Sequence, residues 1–517
     1  MASDTEVFEA LTAPSPLAQI PMIIGDRRAL EDDVSISEEP LAALDREMRA
    51  DAAHRLNHAI EQMDGFLRRE EIRRLGDADP TRILGQSLAE QGRQLLLGAL
   101  RPDDTHTGES TLRSAYRLIG TLSSLAAWSA PASQESCALN SFPFAAPRDT
   151  IAYARYGCAE TAAQEITYTA LLGFDPATCR VLLTSSGMAA YALIESFLLR
   201  HVLSSKDRVL LDPGVYFETQ EQLKTLPSMN IVLAGGASRR DMLEAIVTHQ
   251  PKVVFVDPLT NSADLRLIDI ARFLTEADRL LNQETWFVVD GTLLSGAFDA
   301  FKPSRSPNIR VLYYESGCKY LQCGMDLGPA GIVAVEPALA QRFEHLRRGI
   351  GAIAAEPMIL PRVSRGAYLT YLRAQTASAR AAARAVSACA EQSGLRIIAA
   401  KFPGAVEQPN HAEMFGYPHL GGLLAFRFLD ARLNRRRALE TFIDGLIVKA
   451  RAANVPVTAG VSFGFRVPRI TAAWSSYDED KAFLRLSAGV STEIASRLGR
   501  LIAEYAGEAS TAQLIHV

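Results

Sequence analysis

The sequence lacks the features that mark secreted, membrane-spanning and nucleic-acid-binding proteins. Its six cysteines are scattered over 517 residues without a C-x-x-C pair, which indicates reduced thiols and neither a disulfide framework nor a zinc site. The start, MASDTEVFEA, is acidic, and no apolar run is long enough to cross a bilayer, so neither a signal peptide nor a membrane span is predicted. The net charge is −5 without a long basic run, which argues against nucleic acid or a membrane surface as the main partner. We therefore expect a cytoplasmic protein whose ligand is a small molecule.

The chain does contain the apolar residues for a large core. Hydrophobic residues make up 48% and charged residues 22% of it, the balance of a globular protein, and the length suggests about three units. Apolar residues from Leu41 to Met63 recur at helical spacing, and further helical segments follow Asp79-Pro80 and surround Leu112–Trp128. The predicted units are a tail with a helical extension (1–135), a large domain (136–345) and a small α+β domain with a connecting helix (346–517).

Short β-branched runs alternate with amphipathic stretches from Arg180 onward. They are RVLLT, RVLLD, NIVLA, KVVFVD, TWFVVD, IRVLYY and GIVAV. Such runs with intervening helices predict an α/β fold, in which helices cover both faces of a mostly parallel sheet of about seven strands. Ligands of such sheets bind at the carboxyl ends of the strands, so the residues that follow each run are the candidates for a site.

One candidate is an anion-binding helix start. The stretch TSSGMAAYALIESFLL follows the strand RVLLT and is predicted to open a helix at Gly187-Met188. Free N–H groups and the positive end of the helix dipole attract an anion there. Taken alone, the same residues are more often a plain helix cap at Ser185 or Ser186.

Three further side chains follow other strands. Asp290 ends TWFVVD, where a carboxylate needs a partner or caps the next turn. Tyr216 lies in a loop, where a ring either packs or stacks on a cofactor. Lys319 follows RVLYYESGC, and an amine in apolar surroundings has a lowered pKa and forms Schiff bases, although a single lysine is more often solvated. With the anion site, these groups match the phosphate, ring nitrogen, ring face and aldehyde of pyridoxal phosphate (PLP).

Two competing motifs are weaker. Ser316-Gly317-Cys318-Lys319 matches the S-x-x-K motif of serine acyl-enzymes, but the sequence lacks the S-D-N and K-T-G partner motifs. His54 and His58 are spaced to ligate a metal from one helix face, but no third ligand accompanies them. A hydrolase and a metal site are therefore disfavoured.

Eight motifs occur in a fixed order: IAYARYG, SSGMAA, VYFET, DPLTNSADLRLIDI, VVDGT, SGCKYLQCGMD, VSFG and LRLSAGV. On these motifs, the sequence from about Leu139 to Gly489 resembles the cystathionine γ-synthase-like enzymes of cysteine and methionine metabolism, which are fold-type-I PLP enzymes. The resemblance implies an amino acid as the substrate. It also implies a homodimer or homotetramer with the active site at the subunit interface.

The resemblance further implies a role for each matching residue. Lys319 would hold PLP and shuttle protons, and Asp290 would keep the pyridine nitrogen protonated. Tyr216 would stack on the ring and serve in proton transfer, while Asn261 would approach the phenolic oxygen. The other implied ligands are, for the cofactor, Ser186, Gly187, Met188, Thr292, Ser316 and Cys318 with Tyr153 and Arg155 of the neighbouring subunit, and, for the substrate carboxylate, Ser462 and Arg485.

Several residues near the expected pocket depart from the family pattern or allow another interpretation. Cys318 stands where the family has threonine or serine, Glu218 where it has glycine or cysteine, and LQCGMD replaces a glycine-histidine pair. Asp257 also ends a strand and rivals Asp290 on position alone. Arg485 interrupts the apolar run AFLRLSAG, where a guanidinium either binds an anion or faces water at a sheet edge.

The reaction that the resemblance implies is elimination or replacement at the γ-carbon of an amino acid. Activated homoserine, cystathionine, methionine and S-adenosylmethionine all remain candidate substrates, because the departures border the pocket. A PLP-dependent β-lyase or aminotransferase is one alternative. A non-catalytic interaction protein on the same fold, with the helical extension as its binding surface, is another.

Overall fold

The computed structural model describes most of the chain between residues 39 and 508. The described ranges are 39–98, 100, 108–126, 159–226, 229–236, 238–302, 308–354, 357–393, 398–403, 416–474 and 482–508. None of the helices in these ranges combines the length and the apolar character that a membrane crossing needs. The predicted tail and the IAYARYG segment lie outside the described residues.

The N-terminal region forms helices where the apolar spacing predicts them. They are α1 (Glu39–Leu67), α2 (Glu70–Arg73), α3 (Pro80–Leu97) and α4 (Glu109–Ala126). Asp79 caps α3, because its carboxylate accepts the Thr81 N–H at 2.8 Å and satisfies a free donor of the first turn. On the apolar stripe of α1, Leu44, Met48 and Leu56 are 0% exposed. Its burial holds α1 against α3, α4 and a long helix of the C-terminal region.

The seven predicted runs form one seven-stranded sheet. Its strands are β1 (Arg180–Thr184), β2 (Arg208–Leu211), β3 (Asn230–Leu233), β4 (Val253–Val256), β5 (Thr285–Asp290), β6 (Ile309–Ser316) and β7 (Gly331–Val335). Their order is β1-β7-β6-β5-β4-β2-β3; β7 is antiparallel to both neighbours and the other pairs are parallel. The predicted mostly parallel α/β sheet is confirmed.

Helices connect these strands and pack on the sheet. They are α5 (Ala159–Leu172), α6 (Gly187–His201), α7 (Phe217–Thr225), α8 (Arg239–His249), α9 (Ile270–Leu280) and α10 (Pro337–Gly349). The core contains Phe197, Phe255, Trp286 and Phe343, all of them buried. Because this layer is closely packed, it fixes where the carboxyl ends of the strands lie.

A second sheet of five strands follows, in the order β10-β11-β12-β9-β8. Its elements are α11 (Arg365–Ser393), β8 (Ile398–Lys401), β9 (Leu423–Phe428), α12 (Arg436–Ala452), β10 (Thr458–Ala459), β11 (Arg469–Ala473), β12 (Phe483–Ser487) and α13 (Thr492–Glu508). Since β12 lies between β11 and β9, Arg485 is on an interior strand and is 9% exposed. The sheet-edge alternative for this arginine is therefore wrong. The boundaries of the three sequence units stay predictions.

Candidate active site

A cavity of about 440 Å³ lies at the carboxyl ends of several strands of the large sheet, where such sheets bind their ligands. Loops of the small sheet close its other side. Every predicted site residue that the structure describes lines this cavity: Ser186, Gly187, Met188, Tyr216, Asn261, Asp290, Thr292, Ser316, Cys318, Lys319, Ser462 and Arg485. Tyr153 and Arg155 lie outside the described residues.

Lys319 follows β6 after a two-residue turn and faces the small sheet. Its Nζ atom donates to Ser462 Oγ at 2.6 Å and lies 5.2 Å from the centre of the Phe463 ring. Burial, together with the nearby Arg485 guanidinium, lowers the pKa of Lys319 to about 8. A lysine that loses its proton this readily is a nucleophile near neutral pH.

The rate at which the cofactor-free protein captures PLP should rise with pH through a midpoint near the Lys319 pKa of about 8 and then level off. The reason is that only the neutral amine attacks an aldehyde, and the neutral fraction grows as the pH passes the pKa. Stopped-flow absorbance over a pH series measures this rate. A rate that keeps rising towards the ordinary lysine pKa of 10.5 would show a solvated amine and contradict the expectation.

Two carboxylates end the neighbouring strands β4 and β5 at the cavity. Asp290 accepts the Thr292 N–H at 2.9 Å, and Asp257 accepts the Tyr216 N–H at 3.0 Å. Burial raises the pKa of Asp290, and burial together with the nearby Asp290 raises the pKa of Asp257. The negative charges of the two carboxylates repel each other, and a cation placed against them offsets that repulsion. Asp290 is the better partner for it, because Asp257 is 5% exposed and holds the Tyr216 backbone.

An anion site lies where α6 starts beside the end of β6. Ser186 caps the helix by accepting the Ala189 N–H at 3.0 Å, and the N–H groups of Gly187 and Met188 have no partner within the helix. A Cβ atom at Gly187 would lie 2.7 Å from the Ser316 Cβ atom, so glycine is needed for this close approach. The helix dipole and the Ser316 hydroxyl make the space suitable for a phosphate.

Arg485 projects from β12 into the opposite side of the cavity. Its Nη1 atom donates to Asn261 Oδ1 at 2.8 Å, and its guanidinium carbon lies 5.7 Å from the centre of the Phe463 ring. Burial lowers the pKa of Arg485 to about 10, which still leaves it charged at neutral pH. A buried guanidinium with a neutral partner is suited to a bidentate carboxylate ligand.

Tyr216 stands at the start of α7 beside an acidic residue. Burial and the Glu218 carboxylate raise the pKa of Tyr216, so its hydroxyl keeps its proton. Glu218 lines the same cavity and places a negative charge where the resembling family has glycine or cysteine. The pocket of this chain therefore differs in charge from the family pattern.

Cys318 turns towards the backbone of its own loop. Its Sγ atom lies 3.6 Å from the Ala330 carbonyl oxygen and accepts the Ala330 N–H at 3.4 Å. The thiol thus has partners without a phosphate, and its part in cofactor binding stays a prediction.

Sequence reasoning missed Phe463, although the quoted motif VSFG contains it, because a phenylalanine carries no chemical signal until its neighbours are known.

The residues present fit PLP. The cavity offers the Lys319 amine for the aldehyde and the Asp290 carboxylate for the ring nitrogen. It also offers the Tyr216 ring and the anion site at the helix start, where Gly187 permits the close approach of Ser316. These four groups come from different strand ends and meet in one space. A phosphate-bearing aldehyde with a basic ring nitrogen matches this donor set.

The fold is that of the fold-type-I PLP enzymes. Solved structures with this fold include cystathionine γ-lyase from yeast, at 19% sequence identity and a TM-score of 0.54, with 71% of this chain and 92% of that chain covered. Cystathionine γ-synthase from Xanthomonas oryzae pv. oryzae shares 21% identity at a TM-score of 0.52, over 71% of this chain and 90% of that one. CalE6, a methionine γ-lyase from Micromonospora echinospora, shares 20% identity at 0.52, over 68% and 87%.

One curated relative covers part of the sequence. The protein named bifunctional enzyme flvA of Aspergillus flavus is 29% identical over 346 residues, which are 66% of this chain. The match spans only 40% of that relative's length. No protein-family model matches the chain.

Proposed function

We propose that this protein is a PLP-dependent enzyme that eliminates or replaces a γ-substituent of an amino acid. The observation that carries the proposal is the meeting of Lys319 and Arg485 in one cavity. The reaction needs both an amine for the cofactor and an anchor for the substrate carboxylate. The solved structures with this fold are named cystathionine γ-synthase, cystathionine γ-lyase and methionine γ-lyase, which supports chemistry at the γ-carbon.

Five residues of the chain would hold the cofactor. Lys319 Nζ would take the aldehyde, Asp290 would pair with the ring nitrogen, and Tyr216 would cover a ring face. The helix start at Gly187, beside Ser316, would hold the phosphate. When bound, PLP draws electrons away from the α-carbon of an amino acid and so stabilises a carbanion there.

Other side chains bind the amino acid and move its protons. Arg485 holds the substrate carboxylate in a bidentate pair, and the Ser462 hydroxyl adds a hydrogen bond. Phe463 shields both cationic groups from water. The free amine of Lys319 accepts the α-proton at Nζ, because its low pKa leaves part of it neutral. The Tyr216 hydroxyl, which keeps its proton, donates to the departing γ-substituent.

The assembly and the location are parts of the same proposal. We infer a homodimer or homotetramer in which the partner subunit's Tyr153 and Arg155 reach the phosphate, since the resembling family builds its active site this way. A cytoplasmic location is supported by Cys318 and Cys323, two of the described cysteines, which are free thiols. Activated homoserine, cystathionine, methionine and S-adenosylmethionine remain candidate substrates.

Solvent deuterium should enter both the α- and the β-carbon of a γ-substituted amino acid during turnover. Chemistry at the γ-carbon requires loss of a β-proton after the α-proton, whereas a β-lyase or an aminotransferase exchanges the α-proton alone. Mass spectrometry of an activated homoserine ester recovered from D₂O measures the two positions. The Lys319→Ala variant serves as the control and should show neither exchange.

Two outcomes would contradict the proposed function. Exchange limited to the α-carbon would favour the β-lyase or the aminotransferase. A purified protein that has no absorbance from PLP and takes up none of it would favour an interaction protein on the same fold.

A further inference from the structure

The helical extension contacts two loops that carry active-site residues. The Lys319 loop (317–328) follows β6, and the Ser462 loop (460–466) precedes β11. Lys319, Ser462 and Phe463 in these loops line the cavity. Arginine side chains join the loops to each other and to the extension. The extension therefore contacts loops of the site directly.

The backbone of the Lys319 loop adopts a conformation that depends on outside partners. Cys323 and Asp326 have φ angles of 52° and 49°, in the left-handed region that is costly for residues other than glycine. The Cys323 carbonyl accepts a hydrogen bond from Arg466 Nε at 3.2 Å, and the Met325 carbonyl accepts one from Arg113 Nε at 2.7 Å. Both donors come from outside the loop, and Arg113 belongs to α4.

The Ser462 loop rests directly on the backbone of Lys319. Ser462 itself has a φ angle of 79°. A Cβ atom at Gly464 would lie 2.9 Å from the Lys319 carbonyl carbon, so the two chains touch at this point. The Gly464 N–H also donates to Ser487 Oγ at 3.2 Å. A shift of either loop would therefore change the position of Lys319 relative to Ser462.

Arg466 ties both loops to helix α1. Beyond its bond to Cys323, its Nη1 atom donates to Asp45 Oδ1 at 2.6 Å, and its Nη2 atom lies 3.4 Å from Met48 Sδ. The Arg466 side chain is 12% exposed and the Asp45 side chain 31%. A planar guanidinium held on two sides has one orientation, so Asp45 sets the direction in which Arg466 meets the Cys323 carbonyl.

We propose that Asp45 and Arg466 are positioning residues, through which the helical extension fixes the Lys319 and Ser462 loops in the geometry that binds PLP. This inference rests on the proposed function. It assigns the extension a role in the active site of its own chain.

The extension offers a matched control for this role. Asp64 on α1 accepts two hydrogen bonds from Arg93 on α3, at 2.7 and 2.8 Å. The Asp64 side chain is 33% exposed, close to the value for Asp45. This pair stabilises the packing of the extension and lies in neither loop. Asp45→Ala and Asp64→Ala should therefore cost similar stability, whereas only Asp45→Ala should disturb the site.

The test compares wild type, Asp45→Ala, Asp64→Ala and Arg466→Lys as full-length proteins. In Asp45→Ala we expect about tenfold weaker PLP binding and about tenfold faster amide exchange in the two loops, the effect of one lost charged hydrogen bond. The pH midpoint of PLP capture should also rise, because looser loops admit water to Lys319. Arg466→Lys keeps the positive charge but loses the planar guanidinium that bonds to two partners at once, so it should behave like Asp45→Ala.

Asp45→Ala and Arg466→Lys, alone and combined, also form a double-mutant cycle. If Asp45 acts through Arg466, the double variant should be no worse than the more affected single variant. Equal effects of Asp45→Ala and Asp64→Ala on PLP binding and on loop exchange would overturn the positioning role and leave the proposed function intact. A wild type that binds no PLP would overturn the proposed function, while the exchange rates would still decide whether Asp45 holds the loops.

Discussion

Replacing Lys319 with alanine is expected to lower kcat/KM by at least about a thousandfold, the scale of losing a group that acts in the chemical step. It should also remove the pyridoxyl group that borohydride fixes on the wild-type protein. The reason is that Lys319 lines the cavity with a pKa of about 8 and, in the proposed function, supplies both the attachment point for PLP and the acceptor of the α-proton. Steady-state kinetics and peptide mapping after borohydride reduction measure the two effects.

Lys252 provides the matched control for this variant. It precedes β4 at the opposite end of the sheet, where its Nζ atom donates to the Glu284 carbonyl at 3.0 Å. Lys252→Ala should keep the fixed pyridoxyl group and most of the activity. A pyridoxyl group found on any lysine other than Lys319 would refute the assignment of the site.

Replacing Arg485 with alanine should raise KM for the amino acid by about a hundredfold, with a much smaller change in kcat. Loss of one partner of a desolvated, hydrogen-bonded charge pair weakens binding by about this factor. Because the substrate makes this contact both before and during the reaction, its loss changes KM far more than kcat. The variant should also raise the pKa of Lys319, because the Arg485 charge helps to lower it. Initial-rate kinetics and the pH dependence of PLP capture test the two effects.

Arg427 is a suitable control for Arg485. It lies on the neighbouring strand β9 and faces solvent. Arg427→Ala should leave KM unchanged if the effect at Arg485 comes from its place in the cavity. An Arg485→Ala protein that binds the substrate as well as wild type would show that the carboxylate anchor lies elsewhere.

The sheet could be predicted because its signal is local. β-branched runs between turn residues mark strands in any context, and all seven runs became strands of one sheet. That Asp290 and Lys319 would line one cavity could be predicted for a related reason. Asp290 ends β5 and Lys319 closely follows β6, and parallel strands bring their carboxyl ends to one edge.

In the small sheet, local sequence did not decide the environment of a key residue. The sequence allowed two interpretations of Arg485, since an arginine within an apolar run faces either water or an anion. The order of the strands decided between them, because β12 is an interior strand. Strand order depends on contacts between distant segments, and a single sequence does not show those contacts.

The sequence by itself determined the strands of the large sheet, the edge at which the cavity lies and the residues Lys319 and Asp290 that line it, because spacing and residue type specify these. The tertiary structure alone decided how the small-sheet loops and the helical extension meet that edge. Asp45 and Arg466 are 421 positions apart in the chain, and neither belongs to one of the eight motifs. Their contact arises only when packing places α1 beside the two loops, since burial of apolar surface acts between whole elements and leaves no local mark on the residues it brings together.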